Sequence, residues 1–213
     1  RSPFYEPGLE EILQTYRDTL QATMNADAAI STGDITFICV GTPSKKNGAI
    51  DLSYVQRTAT QIGAVLKTLP RWHVVVVKST VVPGTTETEI RRLLEQHSGK
   101  HVGIDFGLAM NPEFLREGSA INDFLAPDRI VIGTSDSKTA ETLRQLYKGF
   151  SCPVLETSLS AAEMIKYASN TFLATKVSFI NEIGNLCKLL GVDTYQVAEG
   201  IGYDKRIGRA FLD

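Results

Sequence analysis

The sequence is poor in the residues that mark metal and disulfide proteins: three cysteines and three histidines in 213 residues. Cys39, Cys152 and Cys187 lie far apart with no CxxC, which argues against a disulfide framework or a zinc site. His73, His97 and His101 show no ligand spacing, so no metal is expected. No apolar run reaches the roughly 18 residues of a membrane span, and the opening RSPFYEPGL does not read as a signal peptide. An excess of one charge is missing too. The formal net charge of −2 gives no electrostatic case for nucleic acid or an anionic membrane as partner. The expected setting is a reducing cytoplasm. What is present is an ordinary globular composition, 43% hydrophobic and 22% charged, with room for one large domain or one domain and a smaller piece.

Read in order, the chain alternates strands and helices. Residues 6–18 look like a short helix with Pro7 in its first turn, and residues 20–24 like a short strand. Residues 35–40 (ITFICV) form a compact apolar run suited to a strand buried on both faces. The turn-rich loop GTPSKKNG follows, and Asp51 is placed to cap a helix from about 52 to 69. Residues 74–77 (VVVV) predict a second buried strand, then a helix from about 86 to 96. A weaker strand within 102–110 comes before a strand at 129–134, a helix at 137–147 and a strand at 153–156. Alternation of this kind predicts a parallel, doubly wound α/β sheet with helices on both faces. Ligands of such sheets bind beyond the carboxyl ends of the strands. Three polar loops lie there: Gly41 to Ser44, Lys78 to Thr80, and Asn111 to Glu113. The GxGxxG that opens a dinucleotide-binding sheet is absent, and the chain reads as starting partway through such a domain.

The longest element predicted is a helix over 160–190, ended by Gly191. Ser160 and Glu163 have the spacing of a capping box. Such a helix would run about 45 Å, which suggests an element that spans two bodies or pairs with a partner. A domain boundary is placed near Thr157, giving domains 1–157 and 158–213, the second all-α. A short helix over 194–199, capped by Asp193, follows. On the long helix Lys166 and Asn170 stand one turn apart, on the same side.

Several residues carry possible chemistry. A lysine near apolar surface can clamp an anion or donate a proton, and an asparagine can orient a hydroxyl or a water. Lys166 read alone is rather a lysine lying along a solvated face. Glu113, behind Pro112 and beside Phe114 and Leu115, has apolar cover that would suit a general base, or it is a plain loop carboxylate. Ser79, Thr80 and Thr42 can meet a ribose or phosphate, or serve only as turn residues. Cys39 and Cys187 read as packed thiols, and Cys152 has no adjacent base. The basic cluster Lys205, Arg206 and Arg209 could grip a phosphate or simply be solvated.

Several long segments in order carry a resemblance: YEPGL (5–9), FICVGTPSKKNGAIDLSYV (37–55), VVKSTVVPGTT (76–86), NPEFLREGSAIND (111–123), PDRIVIG (127–133), AEMIKYASNTFLATKVSFINEI (162–183) and GIGYDKRIGRAFL (200–212). With these the chain resembles the UDP-glucose/GDP-mannose dehydrogenase family along its whole length. The resemblance implies a partial Rossmann-like sheet followed by a helical dimerisation region. It implies NAD-dependent oxidation of a sugar nucleotide's C6 alcohol to a carboxylate, with two NAD reduced and a cysteine-bound thiohemiacetal and thioester on the way. It matches Lys166 to an oxyanion-stabilising lysine, Asn170 to an asparagine that positions substrate and water, Glu113 to an acid of thioester hydrolysis, and Thr80 to a threonine near the nicotinamide. Val40, Gly41, Thr42, Pro43 and Ser44, together with Ser79, Thr80 and Val81, match cofactor-contacting loops, and Glu117 a carboxylate beside the cofactor. Glu113, Phe114, Leu115, Arg116 and Glu117 match the segment lining the sugar nucleotide, and Arg206 an arginine that reaches substrate across a homodimer. The segment GIGYDKRIGRAFL favours UDP-glucose over GDP-mannose or a UDP-N-acetylhexosamine. The family's nucleophilic cysteine segment is not in this sequence, so a fragment without turnover, or one serving only oligomerisation, is a further expectation.

Overall fold

The computed structural model describes residues 5–212; Arg1 to Phe4, the start of the stretch read as unlike a leader, and Asp213 lie outside them. Its centre is a five-stranded sheet of β1 (Ile35–Ile38), β2 (Val74–Val77), β3 (Gly107–Met110), β4 (Ile130–Thr134) and β5 (Val154–Thr157), in that spatial order. β1, β2 and β3 run parallel and so do β4 and β5, but β3 and β4 are antiparallel. The sheet is therefore mixed where the alternation predicts a parallel one. A parallel pair needs a long crossover, usually helical. Between β3 and β4 the chain holds only the six-residue α5 (Ala120–Leu125).

The two faces of the sheet follow from strand alternation. Val75, Val77, Leu108, Met110 and Val131 point to one face and pack with α3 (Ser53–Leu66) and α4 (Arg91–Ser98). Val74, Val76, Ala109, Ile130 and Ile132 point to the other, against Leu143 and Tyr147 of α6 (Ser137–Tyr147). This is why VVVV is apolar at every position: all four side chains are fully buried. Each contributes about 1.5–3 kcal/mol by leaving water. α6 starts where predicted because the Asp136 side chain accepts from Thr139 N at 2.7 Å, a side-chain cap.

Elsewhere the local signals mislead. The predicted 6–18 helix is α1 (Leu9–Thr15) followed by a tight 3₁₀ turn, Arg17–Thr19. The predicted strand at 20–24 is irregular, with Leu20 and Met24 exposed and no strand beside them. α2 (Ala26–Thr32), capped by Asn25 through Ala28 N, and α5 carry too little apolar periodicity to be seen. The helix expected from 86 opens with a π-helical turn, Thr86–Ile90, before α4.

The last long element, α7 (Leu159–Leu190), starts one residue before its predicted position. The chain divides into two compact units, 1–166 and 167–213. The beginning of α7 belongs to the first, where Leu159 and Ala162 join the sheet core. In the second unit Ile180 packs with Ala198 of α8 (Thr194–Gly202) and with Leu212. Gly191 follows α7 at φ 66, the left-handed conformation that ends helices, and Asp193 caps α8 through Tyr195 N at 2.8 Å. Lys176 Nζ donates to the carbonyls of Ile207 and Gly208, which ties the closing loop to the helix.

Candidate active site

At the carboxyl ends of β1 and β2 the two loops are tied together by hydrogen bonds. Lys78 N and Ser79 N both donate to Ile38 O, at 2.9 and 3.0 Å. Ser79 Oγ donates to Val40 O at 2.6 Å, and Thr42 Oγ1 to Thr80 O at 2.9 Å. The hydroxyls of Thr42 and Ser79 therefore fix the loops, and their oxygens retain lone pairs that can accept from a ligand. Gly41 is exposed, and a Cβ built on it would meet nothing within 4 Å. Pro43 and Ser44 are exposed as well, whereas Val81 is buried in the core and offers only its backbone.

The second group lies at the end of β3. Lys166 is almost fully buried, and its Nζ stands 2.7 Å from Glu113 Oε1. The other carboxylate oxygen, Glu113 Oε2, accepts from Leu115 N at 2.6 Å. Glu113 keeps a third of its side chain exposed, so the pair opens to solvent on the carboxylate's side. The Phe114 ring is flanked by two cations, Arg129 at 3.9 Å from the ring centroid and Lys166 at 5.5 Å. Such contacts are worth about 0.5–2 kcal/mol each, and here they fix the segment that carries Glu113.

Behind this pair runs a polar network that sequence reasoning did not single out. Lys78 Nζ donates to Asn111 Oδ1 at 2.9 Å, Tyr147 OH donates to the same oxygen at 2.5 Å, and Asn111 Nδ2 donates to Val131 O at 2.7 Å. Burial pushes the Lys78 ammonium below its ordinary range, because a cation loses hydration that a neutral amide only partly replaces. Burial likewise pushes the Tyr147 phenol up to about 12. The signal was there to read: Lys78 is a charge placed directly after four buried valines.

Glu163 was missed in a different way. Its carboxylate does not return to the start of its own helix as the capping-box spacing predicts. Glu163 Oε2 accepts from Gly84 N at 2.5 Å and Oε1 from Thr86 N at 2.8 Å. Ser158 Oγ accepts from Ala161 N and serves the start of α7 instead, while Ser160 Oγ bonds Glu87. Burial pushes the Glu163 carboxyl up, against the pull of the Thr86 and Gly84 N–H groups.

Other expected residues are exposed or engaged with other partners. Arg116 turns to Asp123, with Nη2–Oδ1 at 2.6 Å and Nε–Oδ2 at 3.0 Å; the Arg116 guanidinium holds the Asp123 carboxyl down to about 2. Leu115 and Glu117 are exposed on the same turn. Asn170 and Arg206 lie in the second unit, both exposed. Arg206 is engaged by Asp204 at 2.6 Å. Cys39 is exposed just beyond β1, contrary to the packed thiol expected there, because the strand ends at Ile38. Cys187 is buried as expected. Among the described residues no cluster of His, Cys, Asp or Glu could hold a metal, and no helix is long and apolar enough to cross a membrane.

Comparison with known proteins identifies the family. A UDP-glucose 6-dehydrogenase of Haloferax volcanii is 47% identical across the whole chain and 50% of its own length. A GDP-mannose 6-dehydrogenase of Pseudomonas savastanoi is 46% identical over 97% of the chain and 48% of its own length. The structure of a UDP-glucose dehydrogenase from Pyrobaculum islandicum superposes with TM-score 0.95 at 49% identity, over 100% of this chain and 49% of that one. The chain thus spans about half the length of the curated relatives it matches. Residues 1–151 match the NAD-binding domain of one family and residues 160–213 its central domain, and on these grounds the chain belongs to the UDP-glucose/GDP-mannose dehydrogenase family.

Proposed function

We propose that the protein carrying this chain oxidises the C6 alcohol of a sugar nucleotide to a carboxylate with NAD, and that the sugar nucleotide is UDP-glucose. The observation that carries the reading is the Lys166–Glu113 pair at the carboxyl end of β3. A buried ammonium there can stabilise the oxyanion that develops as the C6 carbon is attacked or oxidised. Its carboxylate partner, open on one side, can accept a proton from a water that hydrolyses a thioester. Asn170 would orient substrate and water, and Thr80 the water near the reacting carbon.

NAD, when bound, takes a hydride in each of two oxidations. The residues fit its ribose and nicotinamide end: open space over Gly41, and acceptor oxygens on Thr42, Ser79 and Thr80 within tied loops. Val40 to Ser44 and Ser79 to Val81 would hold it, with Glu117 at their margin. Glu113, Phe114, Leu115 and Arg116 would line the sugar nucleotide. None of this chain's cysteines is offered as the nucleophile: Cys39 is exposed just beyond β1, Cys152 half-buried on the sheet and Cys187 buried in the second unit. The 213 residues alone would therefore give no turnover.

Relatives with the two specificities match almost equally well, and the segment 200–212 tips the choice to UDP-glucose. GDP-mannose and the UDP-N-acetylhexosamines are the alternatives. A homodimer is also proposed, on a specific observation. Phe172, Phe179 and Leu186 recur every seventh residue along α7, and each is more than half exposed, the pattern of a helix that pairs with another. Arg206 would then serve the partner's substrate. A purely oligomeric role without catalysis rests on the same stripe. Three unpaired thiols support a cytoplasmic setting.

The test is to count NADH formed per sugar by the full-length protein given UDP-glucose. Two per sugar supports the whole reading. A signal only with GDP-mannose keeps the chemistry and overturns the choice of sugar, and silence with every sugar nucleotide rejects the enzyme reading in favour of the oligomeric one.

A further inference from the structure

Glu163 is the most buried carboxylate of the first unit: none of it reaches solvent, and the chemistry proposed above makes no use of it. Burying an ionisable group is costly unless hydrogen bonds compensate. Both Glu163 oxygens are compensated by backbone N–H groups from one place, Gly84 and Thr86. These N–H groups open the helical stretch that begins at Thr85 and Thr86, which has no side-chain cap of its own. Glu163 caps that stretch from another element, and a carboxylate at a helix start is favoured by the free N–H groups and the helix dipole.

What the cap joins matters more than the cap. On one side is the continuous segment Ser79 to Thr86. Ser79 at its start is bonded to Val40 and Ile38, and Val81 is locked in the core. On the other side is the second turn of α7, where Lys166 stands three residues beyond Glu163 and so on the same helix face. Ser160 adds a second tie from α7 to the same stretch through Glu87.

We propose that Glu163 is a positioning residue: it fixes the Ser79–Thr86 segment to the turn of α7 that bears Lys166, so that the cofactor loop and the ammonium keep one distance. This deepens the function proposed above and rests on it. An apolar residue could fill the space, but it could not tie both N–H groups at once.

The test compares unaltered full-length protein with Glu163→Gln, Glu163→Asp and Glu163→Ala. Measured are Tm, amide hydrogen exchange of residues 81–88, the Kd for NAD, and kcat and KM for the sugar nucleotide. For Glu163→Gln, which keeps the shape but offers one acceptor oxygen, we expect faster exchange at Gly84 and Thr86. We also expect kcat to fall about tenfold and NAD Kd to rise several-fold while KM for the sugar changes little, the signature of a lost alignment. Glu163→Asp, too short to reach both N–H groups, should behave like Glu163→Gln. If Glu163→Ala does not fold, these two decide. A lower Tm with kcat and NAD Kd unchanged in the folded protein would overturn the inference and leave the proposed function standing. No turnover by the unaltered protein would reject both.

Discussion

The Lys166 ammonium and the Glu113 carboxylate meet at 2.7 Å although 53 residues separate them in the chain. The lysine is almost sealed and the glutamate one-third open, so the pair is accessible from the glutamate's side. Each charge neutralises the other, and in the reaction proposed above an oxyanion or a water would take a share of one of them. Buried pairs of this kind are seldom kept for stability, since desolvation offsets most of the Coulomb gain. A role in binding or chemistry explains the pair better.

The first prediction follows from that asymmetry. In the full-length protein Lys166→Met should lower kcat by about a hundredfold or more, as expected when an oxyanion loses its main donor. Dimerisation, read by sedimentation, should not change. A variant within about threefold of the unaltered kcat would remove Lys166 from the chemistry. Glu113→Gln should be the less stable of the two, because it leaves the ammonium buried without its anion. A cost of about 2–4 kcal/mol is expected in a urea titration.

A second prediction concerns a tie at the other end of the same segment. Glu6 Oε2 accepts from Gly118 N at 3.0 Å and Oε1 from Ala120 N at 2.7 Å. It thereby supplies the cap that α5 lacks, since Ser119 makes no side-chain cap bond. Glu6→Ala should cost about 1–3 kcal/mol and speed amide exchange at 118–120. Stability and exchange both unchanged would mean the contact does no work.

Much of this arrangement could be read from residues alone, for identifiable reasons. β2 was plain because a strand buried on both faces must be apolar throughout, and α6 because Asp136 caps it with its own side chain. The reversal at β4 was not legible. It depends on where residues 111–129 lead the chain between β3 and β4, which no periodicity records. Glu163 looked like half of a capping box because spacing cannot show that nearer N–H groups arrive from Gly84 and Thr86. The meeting of Lys166 and Glu113 was accessible only through the resemblance, since no local pattern links residues so far apart. Lys78 and Asn111 were passed over individually because their significance lies in the bond between them.

A third prediction uses Tyr147. Its phenol is pushed up to about 12 by burial, from an ordinary value of 10.0. The folded state thus favours the neutral phenol. Tyr147 contributes stability that is fully present below pH 10 and is lost as pH rises towards about 12. Tyrosine absorbance should show one of the seven tyrosines ionising late, close to alkaline unfolding. In Tyr147→Phe that late step should vanish. The lost bond to Asn111 Oδ1 should cost about 1 kcal/mol near neutral pH. A late step that survives the substitution would assign the high value to another tyrosine.

The last prediction tests how β4 seats the first turn of α7. A Cβ on Gly133 would stand 2.6 Å from Ala162 Cβ, 2.7 Å from Ser158 O and 3.1 Å from Leu159 Cα. Two of these three atoms are backbone and the third is a methyl fixed to it, so no flexible side chain can give way. Gly133→Ala must push the start of α7 off the sheet. The cost should be about 2–3 kcal/mol, in the range of overpacked cores, or roughly 5–10 °C in Tm for a chain of this size. Ala162 is one helical turn before Lys166, so the same shift should move Nζ relative to Glu113 and lower kcat as well as Tm. Adding Ala162→Gly to Gly133→Ala removes the shortest of the three contacts and should restore part of both. If Gly133→Ala lowers Tm and leaves kcat intact, the helix start has yielded without carrying Lys166 with it. Unchanged Tm would show that β4 and α7 are not in the close contact described.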